Sequence, residues 1–231
     1  MHAWLCHYDL ILFDLDGLLV DSEMMHFAAF REVMHSKGIA LPWTFSEYSA
    51  RAHFTRTGLR EASYREFPQL AAIEPSWDQI IAERKAAYMK LLQRGELSLM
   101  PGVEPLLQSI TERKILSCVV TNSPAEQVER LRRDLPSLNQ IPHWITREAY
   151  RDPKPAPDGY LEALMRYAPQ EEAKVIGFED SARGFEALAN AGVPGVLICA
   201  PDLPQVEWAL ARGALYVPSF HSLESLTGRL T

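Results

Sequence analysis

Long apolar runs are missing from this 231-residue chain. Nothing approaches the ~18 consecutive apolar residues of a membrane-spanning helix, so no membrane partner is expected. Nor does a charged leader with an apolar core and a cleavage site precede the first apolar segment, which makes a cytoplasmic location the expectation. Basic charge is also in short supply, with 23 Lys and Arg against 30 Asp and Glu and a net charge of -7. The basic residues are scattered rather than striped, which argues against nucleic acid and favours a small anionic ligand met at a local positive site. Cysteine is scarce: Cys6, Cys118 and Cys199 lie far apart, without a C-x-x-C or any metal-ligand spacing. Cys118 and Cys199 fall in predicted strands, where a thiol serves as a small buried apolar group. Repeats and low-complexity tracts are absent too.

What remains is an ordinary globular composition, 47% apolar and 23% charged, long enough for one substantial core and a small second domain. The organising stretch is Leu10-Ile11-Leu12-Phe13-Asp14-Leu15-Asp16-Gly17. Four large apolar residues in a row suit a central strand of a parallel sheet, covered on both faces. Residues two apart point the same way, so Asp14 and Asp16 start on one side as the strand ends. Two like charges so close resist joint ionisation unless a cation sits with them. D-x-D-G also occurs in solvated turns, and the motif alone does not choose.

Further along, Asp21 and Ser22 are N-cap residues for a helix carrying Phe27, Phe30, Val33 and Met34 at helical spacing, with Gly38 as its stop. Between Ile39 and Pro75 the pattern blurs, and two more short helices are expected. Ser76-x-x-Gln79 reads as a capping box for a helix that Gly95 ends. Residues 22–95 thus form a helical insert without strands, between core segments 1–21 and 96–231. Beyond Met100-Pro101-Gly102 comes a helix through Ile110, then a strand over 115–120 ending at Thr121-Asn122. Ser123-Pro124-Ala125-Glu126 reads as a capping box with proline at the first helical position, whose free N–H groups suit a phosphate. Strands at 143–146, 174–178, 195–199 and 214–217 alternate with helices. The grammar is that of an α/β fold, a doubly wound Rossmann-like parallel sheet with ligands at the carboxyl ends of the strands. Asp14, Asp16, Thr121, Asn122, Glu179 and Asp180 all fall at such ends, with Lys154 on a loop able to reach them.

These residues carry a resemblance. Phe13-Asp14-Leu15-Asp16-Gly17, the strand ending at Thr121, Lys154-Pro155-Ala156-Pro157-Asp158 and Gly177-Phe178-Glu179-Asp180-Ser181 resemble the four ordered motifs of the haloacid dehalogenase superfamily. A helical insert between the first two motifs is similar to the cap of the branch that holds β-phosphoglucomutase and many small-molecule phosphatases. The resemblance implies phosphoryl transfer through an aspartyl phosphate. It makes Asp14 the nucleophile, Asp16 the general acid and base, Thr121 a phosphoryl donor and Lys154 a fixed cation. Mg²⁺ would be held by Asp14, the Asp16 carbonyl and Asp180, with Glu179 acting through water.

Asp16 is expected to have its pKa raised by neighbouring carboxylates, as an acid requires. Pro153 and Leu18 stand where relatives often carry glycine and threonine, and Asp16 argues against dehalogenation. His26, twelve residues after Asp14, matches a histidine of β-phosphoglucomutase, and Arg84 or Lys85 falls near that enzyme's phosphate-binding lysine. With Asn122, Arg51 and Arg56, these are the candidate substrate contacts. The expected activity is a monomeric Mg²⁺-dependent phosphatase of a small phosphorylated metabolite. A sugar phosphomutase is the first alternative, and a non-enzymatic receiver-like phospho-acceptor the second.

Overall fold

A computed structural model describes residues 2–94, 97–168, 170 and 172–230, so Gly95 lies outside the described residues. Strand β1 (Leu10–Phe13) is buried along its whole length. It pairs in parallel with β2 (Leu116–Val120) on one side and β4 (Val175–Glu179) on the other, Leu12 lying opposite both Cys118 and Gly177. Strands β3 (His143–Ile145), β5 (Gly195–Ile198) and β6 (Leu215–Val217) complete an all-parallel sheet in the order β3-β2-β1-β4-β5-β6. The order reverses direction between β1 and β4, which opens a crevice at their carboxyl ends. It is not the 2-1-3-4-5 order of receiver-type sheets, so the receiver-like alternative fails on topology.

Alternation along β1 divides the core. Ile11 and Phe13 face the larger cluster, in which Phe13 stacks on Phe178 at 5.5 Å and 19°. Helices α6 (Val103–Arg113) and α7 (Ala125–Asp134) cover that face. Leu10 and Leu12 face the other side, where Tyr160 of α8 (Asp158–Tyr167) and Leu188 of α9 (Ala182–Asn190) pack against them. A further helix, α10 (Pro204–Leu210), covers the sheet at β5 and β6.

Between β1 and α6 the regular elements among the described residues are helices only. These are α1 (Glu23–Ser36), α2 (Phe45–Ala52), α3 (Gly58–Glu66), α4 (Leu70–Ile73) and α5 (Trp77–Leu92). The blurred region thus holds three helices rather than two. One begins with a complete capping box in which Thr44 and Glu47 satisfy each other's backbone N–H groups. An aromatic core of Phe27, Phe30, Trp43, Tyr48 and Phe67 joins α1, α2 and the end of α3, each such side chain contributing roughly 1.5–3 kcal/mol on burial. Of the box expected at Ser76 only half forms: Ser76 accepts from the Gln79 N–H, while the Gln79 side chain donates to Glu83.

The two crossings between sheet and helices run side by side. Val20 bridges Leu99, the Asp21 N–H donates to Ser98 O at 2.9 Å, and the Met100 N–H donates to Leu19 O at 3.0 Å. Among the described residues no helix is long and apolar enough to cross a membrane.

Candidate active site

The crevice at the carboxyl ends of β1, β2 and β4 holds a cavity of about 290 Å³, walled on the far side by the inserted helices. Asp14, Asp16, Thr121, Asn122, Lys154 and Asp180 line it, as do His26, Arg56, Arg84 and Lys85. The sequence-predicted residues therefore meet, with two exceptions. Arg51 is turned away: its guanidinium lies 4.4 Å from the Trp43 ring and pairs with Glu66 at 3.1 Å. Glu179, fully buried, lies beneath the cavity floor.

That floor is a charge cluster. Lys154 Nζ donates to Asp14 Oδ1 at 2.5 Å, to Glu179 Oε1 at 2.6 Å and to the Val120 carbonyl at 2.8 Å. Tyr160 donates to the same Glu179 oxygen at 2.5 Å. Burial alone would lower the lysine's pKa, but the two carboxylates outweigh it and the ammonium is held charged. Asp14 is pushed up to about 7, by burial first and by the charges of Glu179 and Asp16, with Lys154 opposing. Asp180 is likewise held well above the ordinary carboxylate range, by burial and then by Glu23 and Asp14. Oxygens of Asp14, Glu179 and Asp180 lie within 4.8 Å of one another. One ammonium among several buried carboxylates leaves negative charge uncompensated, and an all-oxygen donor set of this kind fits a hard divalent cation.

Gly17 makes the approach of Asp180 possible. It adopts φ +79°, and a Cβ there would lie 2.4 Å from Asp180 Oδ2.

Asp16 sits in different surroundings. Ser22 donates to Oδ1 at 2.7 Å, Ser123 to Oδ2 at 2.5 Å, Gln127 Nε2 lies at 3.3 Å and His26 Nε2 at 3.3 Å. Burial pushes this carboxyl up, but His26 and the two hydroxyls outweigh it, and its pKa is lowered. The expectation of a raised value is thus corrected, because donors rather than carboxylates surround it.

The same contacts correct two readings of helix starts. Ser22 precedes α1 and Ser123 precedes α7, yet neither hydroxyl caps its helix. Pro124 is the residue before α7 rather than its first, and the Ala125 N–H is taken by the Glu148 carboxylate at 3.1 Å instead of waiting for phosphate. Asn122 is likewise engaged, its Oδ1 accepting from Tyr150 OH at 2.8 Å and from the Lys154 N–H at 3.2 Å. It ties the Lys154 loop to the end of β2.

On the insert side His26 stacks on Tyr88 at 4.0 Å and 6°, and Arg84 donates to Tyr48 OH at 3.3 Å. Lys85 reaches Glu126 of α7 at 3.3 Å. Glu23, read from sequence only as a first-turn acid, enters the cavity wall and meets His53 Nε2 at 2.9 Å. Its carboxyl is held at about 2, burial being outweighed by His53. Nothing in its local sequence separates it from any acid at a helix start.

Comparison with known proteins agrees with this architecture. Residues 11–198 match the haloacid dehalogenase-like hydrolase family. A phosphorylated carbohydrates phosphatase of Thermotoga maritima is 29% identical over 89% of this chain and 91% of its own. Protein CbbY of Cereibacter sphaeroides is 30% identical over 79% of this chain and 80% of its own. The crystal structure of CbbY from Rhodobacter sphaeroides in complex with phosphate superposes with a TM-score of 0.73 at 24% identity, covering 94% of this chain and 96% of that one, a likeness of fold. The sheet order, the ordered acidic motifs and the family match converge, and the chain belongs to the haloacid dehalogenase-like hydrolase family.

Proposed function

We propose that this protein is a Mg²⁺-dependent phosphatase acting on a small phosphorylated metabolite, a sugar phosphate or nucleoside monophosphate. The observation that carries the reading is the division of labour at the end of β1. Asp14 is bonded to a buried lysine beside Asp180, whereas Asp16, two residues on, is held by hydroxyl, amide and imidazole groups. Named relatives of this chain act on phosphorylated carbohydrates and glycerol 3-phosphate, which agrees with the substrate class.

Asp14, Asp180 and the Asp16 carbonyl would hold the ion, with Glu179 beneath them. Bound there, Mg²⁺ would supply charge neutralisation for an incoming phosphate dianion. The Asp14 carboxylate attacks phosphorus and the bond to the leaving alkoxide breaks, leaving an acyl phosphate on Asp14. Lys154 stabilises charge on the phosphoryl oxygens and Thr121 donates to one of them. Asp16 protonates the alkoxide. As a carboxylate it then takes a proton from water, which attacks phosphorus and frees Asp14. Its lowered pKa keeps it in the ionised form from which the base step starts, and His26 at 3.3 Å is the group able to relay the proton that the acid step needs. Residues 22–95 act as a cap that closes over substrate about the paired crossings and excludes bulk water from the acyl phosphate.

A mutase reading has one specific support: Arg56, Arg84 and Lys85 line the wall opposite Lys154, where a second phosphate would sit. Incubation with Mg²⁺, β-glucose 1-phosphate and a trace of the 1,6-bisphosphate separates the two. Inorganic phosphate is expected from this and from other monophosphates. Glucose 6-phosphate appearing much faster than free phosphate would overturn the assignment.

A further inference from the structure

The turn from Asp180 to Arg183 is gripped from two sides by groups with no part in phosphoryl transfer. From the core, Gln205 in the first turn of α10 donates through Nε2 to the Asp180 carbonyl at 3.1 Å. From the insert, the carbonyl of His53, just past the end of α2, accepts the Arg183 N–H at 3.0 Å. That N–H lies in the first turn of α9, where no acceptor exists within the helix itself. A residue of the insert therefore completes a core helix that starts immediately after the candidate metal ligand.

The two grips are connected. Ser49 Oγ on α2 lies 3.3 Å from His53 Nδ1 and 3.5 Å from Gln205 Oε1. Ser49 and Gln205 are fully buried and His53 is 4% exposed. Polar groups sealed between two packed elements cost free energy unless paired, and apolar residues would have filled this contact without that penalty. Their pairing requires the insert to be seated in one register on the core.

We propose that Ser49, His53 and Gln205 are positioning residues that couple seating of the insert to placement of the Asp180 carboxylate, so that the ion site is complete only when the insert is docked. This rests on the assignment of Asp180 as a metal ligand above.

The test needs no turnover. Ser49→Ala and Gln205→Met remove the polar atoms with little change of volume. The full-length, metal-free proteins are titrated with Mn²⁺ alone by electron paramagnetic resonance, and amide exchange is followed across residues 180–186. Each variant is expected to bind Mn²⁺ about tenfold more weakly, as loss of a group supporting a metal ligand typically does. The Arg183 amide should exchange faster. In the double variant the two losses should combine to less than their product, because both break one network. Ser49→Ala, a favourable helix substitution, decides alone if Gln205→Met does not fold. Undiminished Mn²⁺ affinity in the folded variants, whatever the exchange, would overturn the coupling. A wild-type protein that binds no Mn²⁺ would overturn the metal assignment, and the coupling with it.

Discussion

Glu179 and Gly184 divide one small space between them: a Cβ on residue 184 would lie 2.0 Å from Glu179 Oε2. The carboxylate has nowhere to retreat, because its other oxygen is bonded to Lys154 and Tyr160. Gly184→Ala is therefore expected to destabilise the fold by about 1–3 kcal/mol, the usual range for overpacking. Urea unfolding measures it, and a loss below ~0.5 kcal/mol would mean that α9 shifts freely.

Lys154→Met should be more damaging. Removing the ammonium leaves Asp14 and Glu179 buried without their shared cation, a change that typically costs about 3–5 kcal/mol. Turnover should fall by at least ~10²-fold, the scale seen when one fixed group stabilising transition-state charge is lost. Unfolding curves and steady-state assays on the same preparation check both.

Metal-free protein should lose stability as pH rises from about 4 through 7. Asp14 is raised from 3.8 to about 7 in the fold, so the folded state binds the extra proton across that window. Below it both states are protonated and nothing is lost; above it the buried anion is unfavourable by roughly 4 kcal/mol at most. Asp180, raised as well, adds to the same slope. Asp16 and Glu23 are lowered, so their stabilisation is present above the ordinary carboxylate range and fades only in stronger acid. Asp14→Asn should raise the melting temperature of metal-free protein at pH 8 and flatten the slope. A wild-type melting temperature constant from pH 5 to 8 would contradict the cluster's electrostatics.

Asp14→Asn should also abolish phosphate release, since an amide does not attack phosphorus. EDTA is expected to silence the wild type and excess Mg²⁺ to restore it, whereas Mg²⁺ should restore nothing in the variant. Phosphate assays on both proteins, with circular dichroism to verify folding, separate loss of the nucleophile from loss of the ion.

The candidate site residues legible in the sequence are those announced by a strand. Asp14, Asp16, Glu179 and Asp180 follow apolar runs directly, and the sheet brings such ends together without help from long-range detail. Lys154 is marked by its proline-flanked motif. Glu23, Gln127 and Gln205 carry no such signal, because each acts through a partner far away in the chain. A serine before a helix usually bonds to the helix backbone, which makes Ser22 and Ser123 look like caps in the sequence; in the fold the competing acceptor is Asp16. Arg51 departs from the sequence expectation for the opposite reason. Its helix was recognisable only in outline, and which face bears Trp43 and Glu66 depends on packing within the insert. Helix α10, flanked by Pro201 and Gly213, is too short for periodicity to reveal.

The paired crossings at Val20 and Leu99 bear on how such a chain can be lengthened or shortened. Both ends of the insert are stitched together before any of its helices begin, so to the sheet the whole insert is a closed loop. Loop-closure entropy grows only logarithmically, and doubling the length of such an excursion costs about 0.6 kcal/mol. The sheet with its acidic floor can accordingly accept an insert of quite different size at nearly constant stability. The wall contributed by the insert is then free to change while the acidic residues of the floor stay where they are.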